Sequence, residues 1–200
     1  MAARPKTPRG MRTQDRLLAA AIESFSAKGF HGASTRDIAR AAGISPTALY
    51  VHHASKEELL FELAYDGHRV ALGVVEQALG TGGTVTARLH RVVHDFAVHH
   101  AEFHELSRVV NYELAALAVH HRAEVLSLRR RISVLLRELI DEGADSGVFT
   151  VLDRRMSVAA IESLIVDIGR WYHDDGLEPA LIAAAYADMA LRLVGAEQHD

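Results

Sequence analysis

Apolar side chains recur every three or four positions along almost the whole chain, and they nowhere alternate with polar ones as a strand requires. Over residues 12–28 this spacing puts Leu18, Ala21, Ile22 and Phe25 on one helical face, and Gly29 ends the helix. Ser34, followed three residues later by Asp37, opens a short helix over 34–42 whose buried side is Ile38, Ala39 and Ala42. Gly43 breaks it. Ser45-Pro46 then starts another over 45–52, with a side-chain oxygen at the cap and proline at the first helical position. Ser55 and Glu58 repeat the capping-box spacing and open a helix through Leu59, Leu60 and Leu63.

Gly80-Thr81-Gly82-Gly83 is the clearest loop in the chain. Amphipathic helices follow over 85–99, 101–118, 122–142, 154–172 and 179–194, with connecting loops at 143–153 and 173–178. Four helices, a glycine-rich break and five more describe an all-α protein with a small head and a larger body. The expected division is a flexible basic arm over 1–11, an N-terminal three-helix helix-turn-helix head over 12–65, and a helical effector-binding and dimerisation body over 66–200.

Two short helices around a glycine turn have the geometry of a helix-turn-helix, whose second helix lies in the DNA major groove. Ile44 and Leu49 would anchor that second helix to Ile38, Phe25 and Ile22, leaving Pro46, Thr47, Tyr50 and Val51 outward. The run Thr35-Arg-Asp-Ile-Ala-Arg-Ala-Ala-Gly-Ile-Ser-Pro-Thr-Ala-Leu-Tyr, then Ser55-Lys-Glu-Glu-Leu-Leu, resembles the TetR family of bacterial regulators. The likeness covers about residues 12–65, including Phe25 and Gly29-Phe30 at the end of the first helix. One position departs from it: the family usually has an aromatic where His53 stands. The resemblance implies a homodimer on double-stranded operator DNA, with contacts from Arg36, Pro46, Thr47, Tyr50, His52 and Lys56. Thr35 and Ser45 belong with these, although each also reads as a helix-cap residue.

Charge and composition sharpen this picture. The net charge of −4 argues against nucleic acid, but its distribution does not. Arg4, Lys6, Arg9, Arg12 and Arg16 face Asp15 alone at the front, whereas the stretch from Asp174 to Asp200 is acidic. The chain has no cysteine, which excludes disulfides, a thiol nucleophile and cysteine-ligated zinc, and fits a reducing cytoplasm. It carries neither a secretory signal pattern nor a run of about 18 apolar residues, so the expectation is a cytoplasmic protein without a membrane partner. No phosphate-binding glycine loop, G-x-S-x-G or HExxH is present, so an enzyme is not expected and no cofactor is implied.

In the body, Met156, Ala159, Ala160, Ser163, Leu164 and Asp167 share one face of the penultimate helix. Ala183, Ala184, Tyr186, Ala187, Ala190, Leu191 and Val194 crowd the last. These small residues suit an intersubunit four-helix bundle or an intrachain core, and the family resemblance favours a homodimer through the last two helices. A mostly apolar effector pocket is expected among Leu89, Val93, Phe96, Phe103, Val110, Leu114, Leu135 and Ile165, with Asn111, Tyr112 and Arg170 as polar groups. From Glu138 onward, Glu142-Gly143, Gly147, Phe149, Arg170-Trp171-Tyr172 and Gly176 resemble the acyl-CoA-responsive members that control lipid and sterol catabolism. That resemblance implies a repressor released by an apolar acyl or acyl-CoA-like effector, whose charged end would meet Arg108, Arg129 or Arg170. The alternative is a metal- or pH-responsive regulator using His90 with His94 and His100 with His104, each pair four apart on a helix.

Overall fold

The computed structural model describes residues 13–174 and 176–196, apart from the side chain of His52. The basic arm over 1–11 and the last four acidic-tail residues lie outside the described residues. Among the described residues there are helices and no strand: α1 (Thr13–Gly32), α2 (Thr35–Ala41), α3 (Pro46–His52), α4 (Lys56–Gly80), α5 (Val85–Glu102), α6 (His104–Tyr112), α7 (Val119–Asp145), α8 (Arg154–Trp171) and α9 (Pro179–Leu193). A single 3-10 turn, Leu114–Ala116, sits between α6 and α7.

The head closes around Leu17, Ala21, Phe25, Ile38, Leu49, Leu59 and Leu60, all essentially inaccessible to solvent. Each large side chain buried this way contributes about 1.5–3 kcal/mol before chain entropy is subtracted. Its helix ends are closed by the side chains the sequence pattern names. The Ser34 hydroxyl accepts from Asp37 N–H at 3.1 Å, Ser45 from Ala48 N–H at 3.1 Å, and Ser55 from Glu58 N–H at 3.1 Å. Gly29 interrupts α1 at φ 68°, yet the chain turns once more to Gly32, because Phe30 there packs against Phe25 with ring centroids 5.6 Å apart.

Helix α4 joins head to body. Its 25 residues extend roughly 37 Å at about 1.5 Å per residue. Leu59, Leu60, Leu63 and Ala64 lie in the head core, whereas Ala71, Val75 and Ala78 lie in the body core. The expected boundary at residue 65 therefore falls inside a continuous helix.

The body packs α5 between α4, α7, α8 and α9. The expected helix over 101–118 is instead α6 plus the 3-10 turn, and it separates from α5 at Phe103 (φ −115°, ψ 37°). That break turns α6 back toward the head, placing Val109 and Val110 in the head core together with Leu114 and Leu117. Helix α7 begins earlier than the pattern predicts. Its exposed first turn is capped from α4, where Glu57 Oε1 accepts the Ala118 N–H at 2.7 Å and lies 2.9 Å from His121 Nδ1. The His121 ring stacks on Phe61 with centroids 3.8 Å apart.

Two glycines of the body offer a paired test. A Cβ on Gly143 would lie 2.1 Å from Phe149 Cδ2, whereas one on Gly73 of α4 meets nothing within 4 Å. Gly143→Ala should lower stability by about 1–3 kcal/mol through overpacking. Gly73→Ala should raise it by about 0.5–1 kcal/mol through helix propensity. Urea unfolding of the two variants against the parent measures both signs.

Candidate DNA-binding face and effector cavity

Helices α2 and α3 contribute Ile38 and Leu49 to the head core, with Gly43 at φ 69° in the turn between them. This leaves Arg36, Ser45, Pro46, Thr47, Tyr50 and Val51 exposed on one side of the head. Tyr50 is 53% exposed but not free to swing, since its hydroxyl lies 3.2 Å from Thr35 Oγ1. Thr35 thus holds Tyr50 across the helix pair. Val51 is 79% exposed, an apolar side chain presented to solvent with no packing role. Small, hydroxyl-bearing, aromatic and apolar groups in one exposed strip suit phosphates, base edges and thymine methyls. Val51 lies outward as the helix pattern expects. The side chain of His52 lies outside the described residues.

Lys56 is tied to main-chain carbonyls of the head. Its ammonium donates to the Phe30 carbonyl at 2.6 Å and the Ala33 carbonyl at 2.9 Å, and it sits 4.2 Å from the Phe30 ring centroid. Two of its three protons therefore clamp the end of α1 to the start of α4. His53, at the position of the family's aromatic, is buried, with Nε2 3.3 Å from Glu62 Oε2 but off the line of a hydrogen bond. It fills the expected volume as an imidazole.

Behind α6 the body encloses a cavity with about 580 Å³ of empty space, its open mouth included. Five helices contribute to it. Ala71, Phe96, Leu106, Val110, Ile132 and Val166 form its apolar wall, and His68, His100, Asn111, Arg129, Ser133 and Glu162 its polar one. Ser133 donates to Glu162 Oε1 at 2.5 Å, while burial pushes the Glu162 carboxyl above its ordinary value. Asn111 Nδ2 donates to the Ser107 carbonyl at 2.8 Å. The opposite side of α6 faces the head: Arg108 donates to the Ser26 carbonyl at 3.0 Å and also to the Ser26 hydroxyl.

Comparison with known proteins places this architecture. The family model for bacterial regulatory proteins of the tetR family matches residues 17–63, and that for the tetracyclin repressor-like C-terminal domain matches residues 82–194. The chain belongs to the TetR family. It is a DNA-binding transcriptional regulator, not an enzyme. A solved TetR-family regulator from Rhodococcus RHA1 is 34% identical, with 94% of this chain and 100% of that chain covered at a TM-score of 0.88. An uncharacterized HTH-type regulator of Bacillus subtilis, YdgC, is 24% identical over 92% of this chain and 93% of its own. AibR, solved with isovaleryl coenzyme A and operator DNA, shares the fold at 20% identity and a TM-score of 0.82, with 93% and 100% of the two chains covered.

Within this TetR chain the expected effector residues divide sharply. Phe96, Val110 and Asn111 line the cavity. Leu89, Val93 and Ile165 are buried in the body core, Leu135 packs against it, and Leu114 is buried in the head core. Phe103 is half exposed at the α5–α6 break. Arg170 projects to solvent 3.9 Å from Asp167, and Tyr112 donates to the same carboxylate at 3.2 Å. Apolar periodicity marks burial, not a lining, so it found core. The polar lining residues come from five helices and share no local pattern.

The histidine pairs also separate. His90 and His94 stack on the surface with centroids 6.2 Å apart, whereas His100 points inward and His104 lies against Tyr172. No three histidine, aspartate or glutamate side chains among the described residues converge as metal donors. Ala183, Ala187 and Ala190 of α9 and Val194 just after it are buried where α9 packs along α5, so four of the seven residues named on the last helix are intrachain core. The exposed side of α9 carries Leu181, Ala185 and Met189, and that of α8 carries Met156, Ala159 and Ser163. Among the described residues no helix is long and apolar enough to cross a membrane.

The Lys56 clamp gives a direct expectation. Lys56→Met keeps the aliphatic stem over Phe30 but removes both carbonyl bonds, and should lower stability by about 2 kcal/mol. Thermal unfolding in the absence of DNA reads this, and an unchanged melting temperature would show that the clamp is idle.

Proposed function

We propose that this regulator is an effector-released repressor that holds its operator as a homodimer and lets go when an acyl compound fills the cavity behind α6. The observation that carries the reading is the position of α6. Ser107, Val110 and Asn111 line the cavity, while Val109 lies in the head core and Arg108 grips Ser26 of α1. An effector that fits the cavity better in one seating of α6 shifts the head with it, by as much as its affinities for the two seatings differ. The acyl class is supported by the apolar wall, by Arg129 as a cation in the lining, and by the isovaleryl coenzyme A complex of AibR, which has this fold.

In this reading Arg36, Ser45, Pro46, Thr47, Tyr50 and Val51 meet the operator, with Thr35 orienting Tyr50. Lys56 retains one proton for a phosphate. The dimer forms through the exposed sides of α8 and α9, whose small residues allow close helix approach. The regulator works where its DNA is, in the cytoplasm.

Binding to the chain's own upstream DNA, followed by fluorescence anisotropy and footprinting, tests this. The footprint should be palindromic, with half-site centres about 34–36 Å apart or a multiple of that spacing. Thr47→Ala and Val51→Ala should each weaken operator binding by about 1–3 kcal/mol while leaving the dimer intact. Arg108→Met should still bind an acyl-CoA but release the operator several-fold less completely. Sequence-blind binding by a monomer, or release by divalent metals and not by acyl compounds, contradicts the reading.

A further inference from the structure

Two of the most buried polar groups of the cavity are histidines. His68 on α4 and His100 on α5 are 5% and 4% exposed, and both line the cavity. His68 Nδ1 lies 2.7 Å from the Ala64 carbonyl oxygen, and His100 Nδ1 lies 3.0 Å from that of Phe96. A carbonyl oxygen only accepts, so each Nδ1 carries the ring proton. Burial keeps the rings neutral, lowering His68 to about 4 and His100 to about 3. A neutral imidazole protonated at Nδ1 has a bare lone pair on Nε2. Neither Nε2 has a partner among the described residues, and neither is sealed in packing, so both lone pairs open on the cavity.

No other polar group of the wall hydrogen-bonds to either Nε2, the Ser107 hydroxyl and His99 included. The Ser133 hydroxyl is spent on Glu162, and the Asn111 amide donates to the Ser107 carbonyl. Arg129 makes no salt bridge among the described residues and remains available for an acceptor on the ligand. An unsubstituted acyl chain would press methylene groups against two bare acceptors and lose whatever water they bind, with no bond in return.

We infer that the effector is a hydroxylated acyl compound, its hydroxyl donating to Nε2 of His68 or His100 and its carbonyl or carboxylate oxygen accepting from Arg129. One hydroxyl has one proton and serves one imidazole. A second hydroxyl on the same body, or a water held by the first, serves the other. Phe96, Val110 and Ile132 take the apolar part. This inference rests on the reading of the cavity as the acyl effector site and narrows it.

The test compares dodecanoyl-CoA with a set of its monohydroxylated positional isomers on the full-length protein, by calorimetry and by operator release. The best isomer should bind about tenfold tighter than the parent thioester, the yield of one well-placed hydrogen bond. His68→Phe and His100→Phe together should abolish that preference, read as the ratio of isomer to parent affinity within the same variant. His68→Gln and His100→Gln, which keep an acceptor near the Nε2 position, should restore part of it, and they serve if the phenylalanine variants fail to fold. If the parent binds and no isomer binds tighter, or the preference survives both substitutions, the inference is overturned while the cavity stands as the acyl site. If neither parent nor isomers bind, the acyl reading falls and takes the inference with it.

Discussion

The nine residues of α6 lie between the head core and α8, and the arrangement of head on body depends on that placement. Val109 and Val110 belong to the head core, and Arg108 reaches the last turns of α1 through Ser26. On the other side α6 closes on α8, where Gly169 makes room: a Cβ there would lie 3.0 Å from Ser107 Cβ and 3.2 Å from the Arg108 backbone nitrogen. Packed interfaces switch between seatings more readily than they deform, and in the proposed function that is what an effector acts upon. The proposed release of DNA is a consequence of that constraint and of the cavity on the body side of the same helix.

The head was legible in the sequence because its signals are local. Ser34, Ser45 and Ser55 cap the helices that follow them, Pro46 stands at a first helical position, and Gly43 adopts the positive φ that its turn requires. The body was legible as helices but less so as an arrangement. Nothing marks residue 65, so α4 runs through it, and neither glycine nor proline marks the break at Phe103. The cap on α7 comes from Glu57, more than sixty residues away, a pairing that no local pattern can show.

The same contrast governs the two candidate sites. The strip proposed to bind DNA is built on one short helix and its neighbour, so its exposed residues stand close together in the sequence. Lys56 stands apart from it, its ammonium held by the Phe30 and Ala33 carbonyls. A cavity gathered from α4 to α8 has no such continuity. Its informative members are the polar residues that amphipathic spacing treats as interruptions: His68 and His100 with their proton positions fixed by main-chain carbonyls, and Glu162 shielded by Ser133. The sequence pattern paired His100 with His104 as candidate metal donors, but His100 is buried within α5 and lines the cavity, while His104 lies beyond the α5–α6 break.

The coupling of cavity to head is the claim on which the functional account stands, and the absence of cysteine makes it directly measurable. A spin label at Ala41→Cys, on the exposed end of α2, reports the distance between the two heads of a dimer by pulsed electron resonance. The account predicts that the unliganded dimer gives the same distance as the operator-bound one, and that a releasing acyl compound moves it by several ångströms. An unchanged distance distribution at effector concentrations that release the operator would contradict it.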